Sequence, residues 1–247
     1  MTLKLGKQPA RPGAMKLRLS AYLDKPKLPK LPQRFGNLSA WTAMKWGMYA
    51  NDQYGCCVFS GFGHQVKMWA ATAGHPIDFT NTQILDAYAE TGFDPLDPST
   101  DQGTDMVQAC QWWKNQGFYG HAITGFAEVT RENMAEAAFI FGSVGIGITV
   151  TQAQMDQFAG AEPWDVVKDS EVLGGHYVPV IGRNSAGNYL CVTWGRLQAV
   201  TPAFIEAACD EAVCQVSQDW LNVQGGMTPR GLKLADLMAD MQALKNS

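Results

Sequence analysis

The stretch NDQYGCCVFSGFGH, Asn51–His64, sets a polar, glycine-containing turn against the start of an apolar run, with two adjacent cysteines at the join. Beyond it, Val58, Phe59, Phe62, Val66, Met68, Trp69 and Ala70 recur at a rough helical spacing, weakened by Gly61 and Gly63, until Gly74 and Pro76 mark a stop. A cysteine attacks as its thiolate, and the positive end of a helix dipole lowers a thiol's pKa. Cys57, which opens this helix, is therefore the first candidate nucleophile. Cys56, one position earlier and pointing elsewhere, is the second. The alternative for either is a small buried hydrophobe.

A nucleophilic thiol needs a base, and four histidines are available: His64, His75, His121 and His176. On a continuous helix His64 would sit about 10 Å farther along the axis than Cys57, too far for proton exchange. His75 and His121 fall in expected loops. His176 follows Gly174 and Gly175, which permit close backbone approach, and opens the apolar strand YVPVIG, which would hold the imidazole rigidly. The alternative is a buried, hydrogen-bonded histidine at a strand start.

Outward from these two points the chain changes character once. NTQILDAYAETG predicts a helix capped by Asn81 or Thr80, and TDMVQACQWWKNQG one capped by Thr104 and closed by Gly117. Trp112 and Trp113 are core residues of the latter, with substrate stacking as their alternative. Before the nucleophile, LSAWTAMKWGMYAN is a connecting segment. Between the helices FDPLDPSTDQG is a loop. Its Asp94, Asp97 and Asp101, with Asp105, match a calcium loop in composition but not in spacing, and are expected to be solvated.

The second half turns to strands: SVGIGITVT, then GGHYVPVIGRNSAGNYLCVTWG as two strands joined at Asn184–Asn188, with Pro179 arguing for an edge or bulge. TPAFIEAACDEAVCQVS, capped by Thr201, and GLKLADLMADMQALKNS, with an apolar stripe from Leu234 to Leu244, predict closing helices. Helices first and strands after is an α+β order.

With 46% apolar and 17% charged residues, the 247-residue chain can build a substantial core. No apolar run approaches the roughly 20 residues needed to cross a bilayer, and the basic start is not followed by a signal core. The expected location is a reducing cytoplasm, so the six cysteines should be free thiols. They show no paired spacing for zinc, and neither a metal nor a cofactor is expected.

Charge is unevenly placed. Residues 1–35 hold nine of the 19 basic residues and one acid, a net of +8, which leaves −12 for the remainder. This proline-interrupted segment is read as an extended arm outside the core, with 36–247 as the folded domain. It is either a solvated tail or an arm docking on an acidic surface, its own body's or a partner protein's. It lacks the aromatic interleaving of a nucleic-acid binder, and no membrane contact is expected.

Taken in order, Gln53, GCCVFS with Cys57, GHYVPVIG with His176, and YLCVTWG ending at Trp194 and Gly195 resemble the papain-like cysteine peptidase superfamily, in particular its compact bacterial and phage-encoded forms. The resemblance implies a helical N-terminal half packed against an antiparallel β half. It implies Cys57 as nucleophile, His176 as general base, Gln53 and the Cys57 N–H as oxyanion hole, and Trp194 shielding the dyad, with Thr193 and Gly175 as further support. The family's orienting Asn is replaced by Val192, which cannot hydrogen-bond imidazole. Thr193 would face away on a regular strand, leaving Asp169 or Glu171 to orient the ring, or packing alone to hold it. The implied activity is a thiol peptidase or amidase working through an acyl-enzyme on a peptide or protein substrate. The alternative is a weakly active or inactive papain-fold assembly module, such as a phage virion component docked through its arm. A Pro-rich arm would be a poor plug for a catalytic cleft.

Overall fold

The structure, a computed structural model, describes residues 3–223 and Ala235. Its frame is a six-stranded antiparallel sheet in the order β1-β6-β2-β3-β4-β5. The strands are β1 (Ile123–Glu128), β2 (Val144–Thr151), β3 (Val172–Arg183), β4 (Tyr189–Thr193), β5 (Arg196–Val200) and β6 (Cys209–Ser217). The helical half comprises α1 (Leu38–Ala43), α2 (Cys57–Thr72), α3 (Asn81–Ala89) and α4 (Met106–Gln116). Four shorter helices, α5 (Met134–Phe141), α6 (Gln152–Ala159), α7 (Pro202–Ala208) and α8 (Gln218–Val223), are interleaved with or follow the strands.

α2 is the central helix, buried on every side from Cys57 to Ala70. A helix enclosed on all faces loses the polar stripe that sharpens periodicity, which explains its rough apolar spacing. Gly61 has a definite use: a Cβ there would lie 2.3 Å from the Tyr177 ring, so glycine lets α2 press directly onto β3. A buried polar network locks the seam. The Tyr177 hydroxyl donates to Gln65 at 2.8 Å, and the Gln65 amide donates to Gln215 of β6 at 2.9 Å and to Ser143 at 3.1 Å.

The sheet separates two apolar clusters. Tyr177, Ile181, Val192 and Val213 face α2, while Val178, Val180, Cys191 and Cys214 join α5 and α7. All six cysteines are free and buried. Among the described residues no helix is long and apolar enough to cross a membrane, and no cluster of His, Cys, Asp and Glu could hold a metal ion.

Local chemistry sets several boundaries. Thr80 and Gln83 close a capping box at α3, Thr201 caps α7, and the β3–β4 turn is held by Asn184, whose N–H donates to the Asn188 carbonyl at 3.0 Å. The cap of α4 is Asp105, not Thr104. The helix expected over 201–217 stops at Ala208, and Cys209–Ser217 runs as β6 between β1 and β2. A strand buried on both faces has no polar alternation to announce it. Pro179 lies in an interior strand, but β4 pairs with β3 only from Val180 onward, so the missing N–H falls beyond that ladder. The helix expected over 231–247 lies, apart from Ala235, outside the described residues.

The arm is part of the body. After single turns at Leu19–Tyr22 and Lys25–Lys27 it runs extended, with Leu19, Tyr22 and Phe35 buried in the core. The Leu17 carbonyl accepts from Glu128 of β1, and Phe35 bridges Arg183 of β3. Its apolar residues pack into the second cluster, which overrides the reading of a tail outside the core.

Candidate active site

The site lies at the seam between the N-terminus of α2 and the start of β3. Cys57 is the first residue of α2 and is fully buried. Backbone groups of Tyr177, Gly6 and Val58 favour its thiolate. His176, the expected base, directly precedes Tyr177 on β3 and is likewise fully buried. Cys56 points elsewhere: its sulfur lies 3.5 Å from the Tyr49 carbonyl and 3.4 Å from the Ser60 hydroxyl, a packing position.

The His176 ring is fixed on two sides. It stacks on the Trp194 indole at 4.4 Å between centroids and 19° between planes, and its Nε2 lies 2.7 Å from the Thr193 hydroxyl. Neither Asp169 nor Glu171 orients it, since both are exposed. Thr193 takes the part that Val192 cannot, because Val192 faces the α2 cluster while the next side chain at the end of β4 faces the histidine. With Nε2 paired to Thr193, Nδ1 is buried without a partner.

Gln53 is exposed. Asn51, six positions before Cys57, is buried and donates from Nδ2 to the Tyr54 carbonyl at 3.0 Å and to the Lys4 carbonyl at 3.3 Å. Asp101, expected to be solvated, accepts from the Gly55 N–H at 2.9 Å and the Tyr88 hydroxyl at 2.8 Å, so it anchors the turn that leads into α2. Its signal was hidden among the other acids of its loop.

The groove between the halves is filled by the chain's own residues 4–8. The Lys4 N–H donates to Asn51, the Gly6 and Lys7 N–H groups both donate to the Gly175 carbonyl, and the Gln8 N–H donates to Thr104, which returns its own N–H to Gly6 at 2.7 Å. The Lys4 carbonyl accepts from the Trp194 indole at 3.2 Å. Two glycines make this approach possible: a Cβ on Gly6 would lie 1.9 Å from the Gly55 carbonyl oxygen, and one on Gly175 2.3 Å from that of Lys7. The Pro-rich arm is thus an effective plug at its N-terminal end, where no proline interrupts it.

Burial beneath this strap governs the electrostatics. It pushes the Cys57 thiol up to about 12, outweighing the backbone donors and the Lys7 charge that favour the thiolate. It also pulls His176 down to about 3. The closed groove therefore holds a neutral thiol and a neutral imidazole, against the expectation of a thiolate lowered by the helix dipole. The other histidines stand apart: His64 is buried against the Gly47 carbonyl at 2.8 Å, His121 meets Asp219 at 2.9 Å, and His75 is exposed. Trp113 packs in the core.

No protein-family model matches the chain, and no curated protein matches it in sequence. Solved structures do match in shape. Xylellain, a cysteine protease from Xylella fastidiosa, superposes with a TM-score of 0.65 at 10% identity over 87% of this chain and 96% of its own. Procathepsin B from Trypanosoma congolense gives 0.60 at 13% identity, covering 87% of each chain. The cysteine protease and lectin-like domains of Cwp84, a surface-layer-associated protein of Clostridium difficile, give 0.56 at 8% identity, over 76% of this chain and 52% of that one. With helices before, an antiparallel sheet after, and this shape shared over most of the chain, the protein has the papain-like cysteine peptidase fold.

Proposed function

We propose that the chain is a thiol hydrolase acting on peptide or amide bonds, with Cys57 as nucleophile and His176 as general base. The observation that carries this reading is the His176 ring: stacked on Trp194, paired with Thr193 through Nε2, and left with a buried Nδ1 that has no partner. Burying an unpartnered imidazole nitrogen costs about 1–3 kcal/mol, and a waiting proton acceptor justifies that cost. Once the strap leaves the groove, water and substrate restore ordinary titration. Nδ1 then takes the thiol proton and the sulfur attacks the carbonyl carbon. The Cys57 N–H and the Asn51 amide receive the oxyanion. As the C–N bond breaks, His176 returns the proton to the departing amine. Water, deprotonated by the same nitrogen, releases the acyl group and regenerates the thiol.

The test is iodoacetamide labelling against pH, mapped by mass spectrometry, on the full chain and on Lys7→Glu, which sets a carboxylate against Asp210 and Glu211. In the wild type Cys57 should be protected along with the other buried thiols. In Lys7→Glu it should become the fastest-modified thiol, slowed by His176→Ala. Equal, slow labelling of every thiol in both proteins would refute the hydrolase and favour a self-strapped assembly module.

A further inference from the structure

Main-chain bonds hold residues 4–8 in the groove, and any extended peptide could make them. One side chain adds something particular. Lys7 leaves the strap beside Gly147, where a Cβ would lie 2.4 Å from Lys7 Cε, and descends until its side chain is 1% exposed. Its ammonium lies 2.5 Å from Asp210 and 3.0 Å from Glu211, two adjacent residues at the start of β6.

Neighbouring carboxylates repel, so two of them aimed at one point in a partly buried place are stabilised only while a cation is present. Burial raises the Glu211 pKa, and the Lys7 charge pulls it back. Beyond the pair the wall stays acidic: a cavity of about 350 Å³ adds Glu128, Glu132 and Glu206 to Asp210 and Glu211, with Arg18 paired to Glu128 and Arg131 to Glu206. This is the reverse of what the body needs for stability alone, and it suits an incoming cationic peptide.

Where a peptide lies extended along a groove, backbone bonds supply affinity and side-chain pockets supply specificity. We infer that Asp210 and Glu211 form the pocket that selects a lysine side chain in the peptide this groove accepts, and that Lys7 occupies it as the chain's own stand-in. Gly147 is the gate, because any side chain there would block the lysine stem. The inference rests on the hydrolase reading for its substrate, but not for the binding itself.

The experiment measures binding without thiol chemistry. A fluorescent hexapeptide of the strap's own sequence, Lys-Leu-Gly-Lys-Gln-Pro, is titrated by anisotropy into full-length Lys7→Glu. Should that variant not fold, Lys7→Met, which keeps the stem and removes the charge, replaces it with the same expected order. The peptide should bind, and exchanging its second lysine for norleucine should weaken it about 10- to 100-fold, the range for hydrogen bonds to charged groups. The protein change Asp210→Asn with Glu211→Gln should erase that preference. Equal binding of the lysine and norleucine peptides, or no binding to a variant whose Cys57 has become accessible to iodoacetamide, would overturn the pocket. The two readings fail separately. A lysine-selective chain with an inert Cys57 keeps the pocket and loses the hydrolase, whereas a reactive Cys57 without lysine preference does the reverse.

Discussion

The Thr193 hydroxyl stands 2.7 Å from Nε2 of His176, and that contact pairs one ring nitrogen while Nδ1 stays without a partner. Thr193→Val should leave Nε2 buried and unpaired as well, lowering stability by about 1–3 kcal/mol. In the Lys7→Glu background it should also slow iodoacetamide labelling of Cys57 near pH 7, about tenfold. Thr193→Ser, which keeps the hydroxyl, should recover most of that rate. Equal rates for valine and serine would remove Thr193 from the site.

Asn51 and Gln53 make opposite predictions. Asn51→Ala should lower turnover of a lysine-containing peptide by about 100- to 1,000-fold if its amide holds the oxyanion. Gln53→Ala, at an exposed position, should leave turnover within twofold. Steady-state kinetics of the two variants separates them, and the reverse order would restore Gln53.

Gly6→Ala should open the groove while leaving the side chains of Cys57, His176 and Thr193 unchanged. Its Cβ would collide with the Gly55 backbone, which cannot yield as a side-chain tip could, so the strap must lift. Cys57 labelling should rise at least tenfold over wild type, with protection of the Lys7 amide lost in hydrogen exchange. An unchanged labelling rate would mean that something other than the strap covers the thiol.

The protein should lose stability on mild acidification. Burial holds His176 near 3 and His64 near 4, against an ordinary 6.5. Between those values and 6.5 the unfolded chain binds protons that the folded chain refuses, so stability declines as pH falls through that window. Glu211 acts with the opposite sign, because its folded pKa is raised, chiefly by burial, and its protonation favours the folded state as pH drops. Melting temperature should therefore fall from pH 7 to pH 5, more steeply in Glu211→Gln. A flat profile in both proteins would contradict the burial of the two histidines.

Leu19 tests whether the arm is structural. It is fully buried, and Leu19→Ala should cost about 2–5 kcal/mol, read by urea denaturation. A loss under about 0.5 kcal/mol would return the arm to the status of a surface appendage.

How much of this was legible in the sequence follows from the range of the forces involved. The start of α2 at Cys57, the Thr80 cap of α3 and the Asn184 turn are written within a few residues of each other, whereas β3 begins at Val172 and not, as expected, at His176. Dihedral preferences and capping bonds act over that distance, so the sequence alone determined them, together with the helices-then-strands order. The strand nature of Cys209–Ser217, the turn of Thr193 rather than Val192 toward the imidazole, the burial of Asn51 beside an exposed Gln53 and the packing of the arm against the body belonged to tertiary structure. Each depends on a partner far along the chain, as Lys7 depends on Asp210 across 203 positions. Such pairings are settled by burial and by the satisfaction of hydrogen bonds in the assembled core, where local preference is overruled.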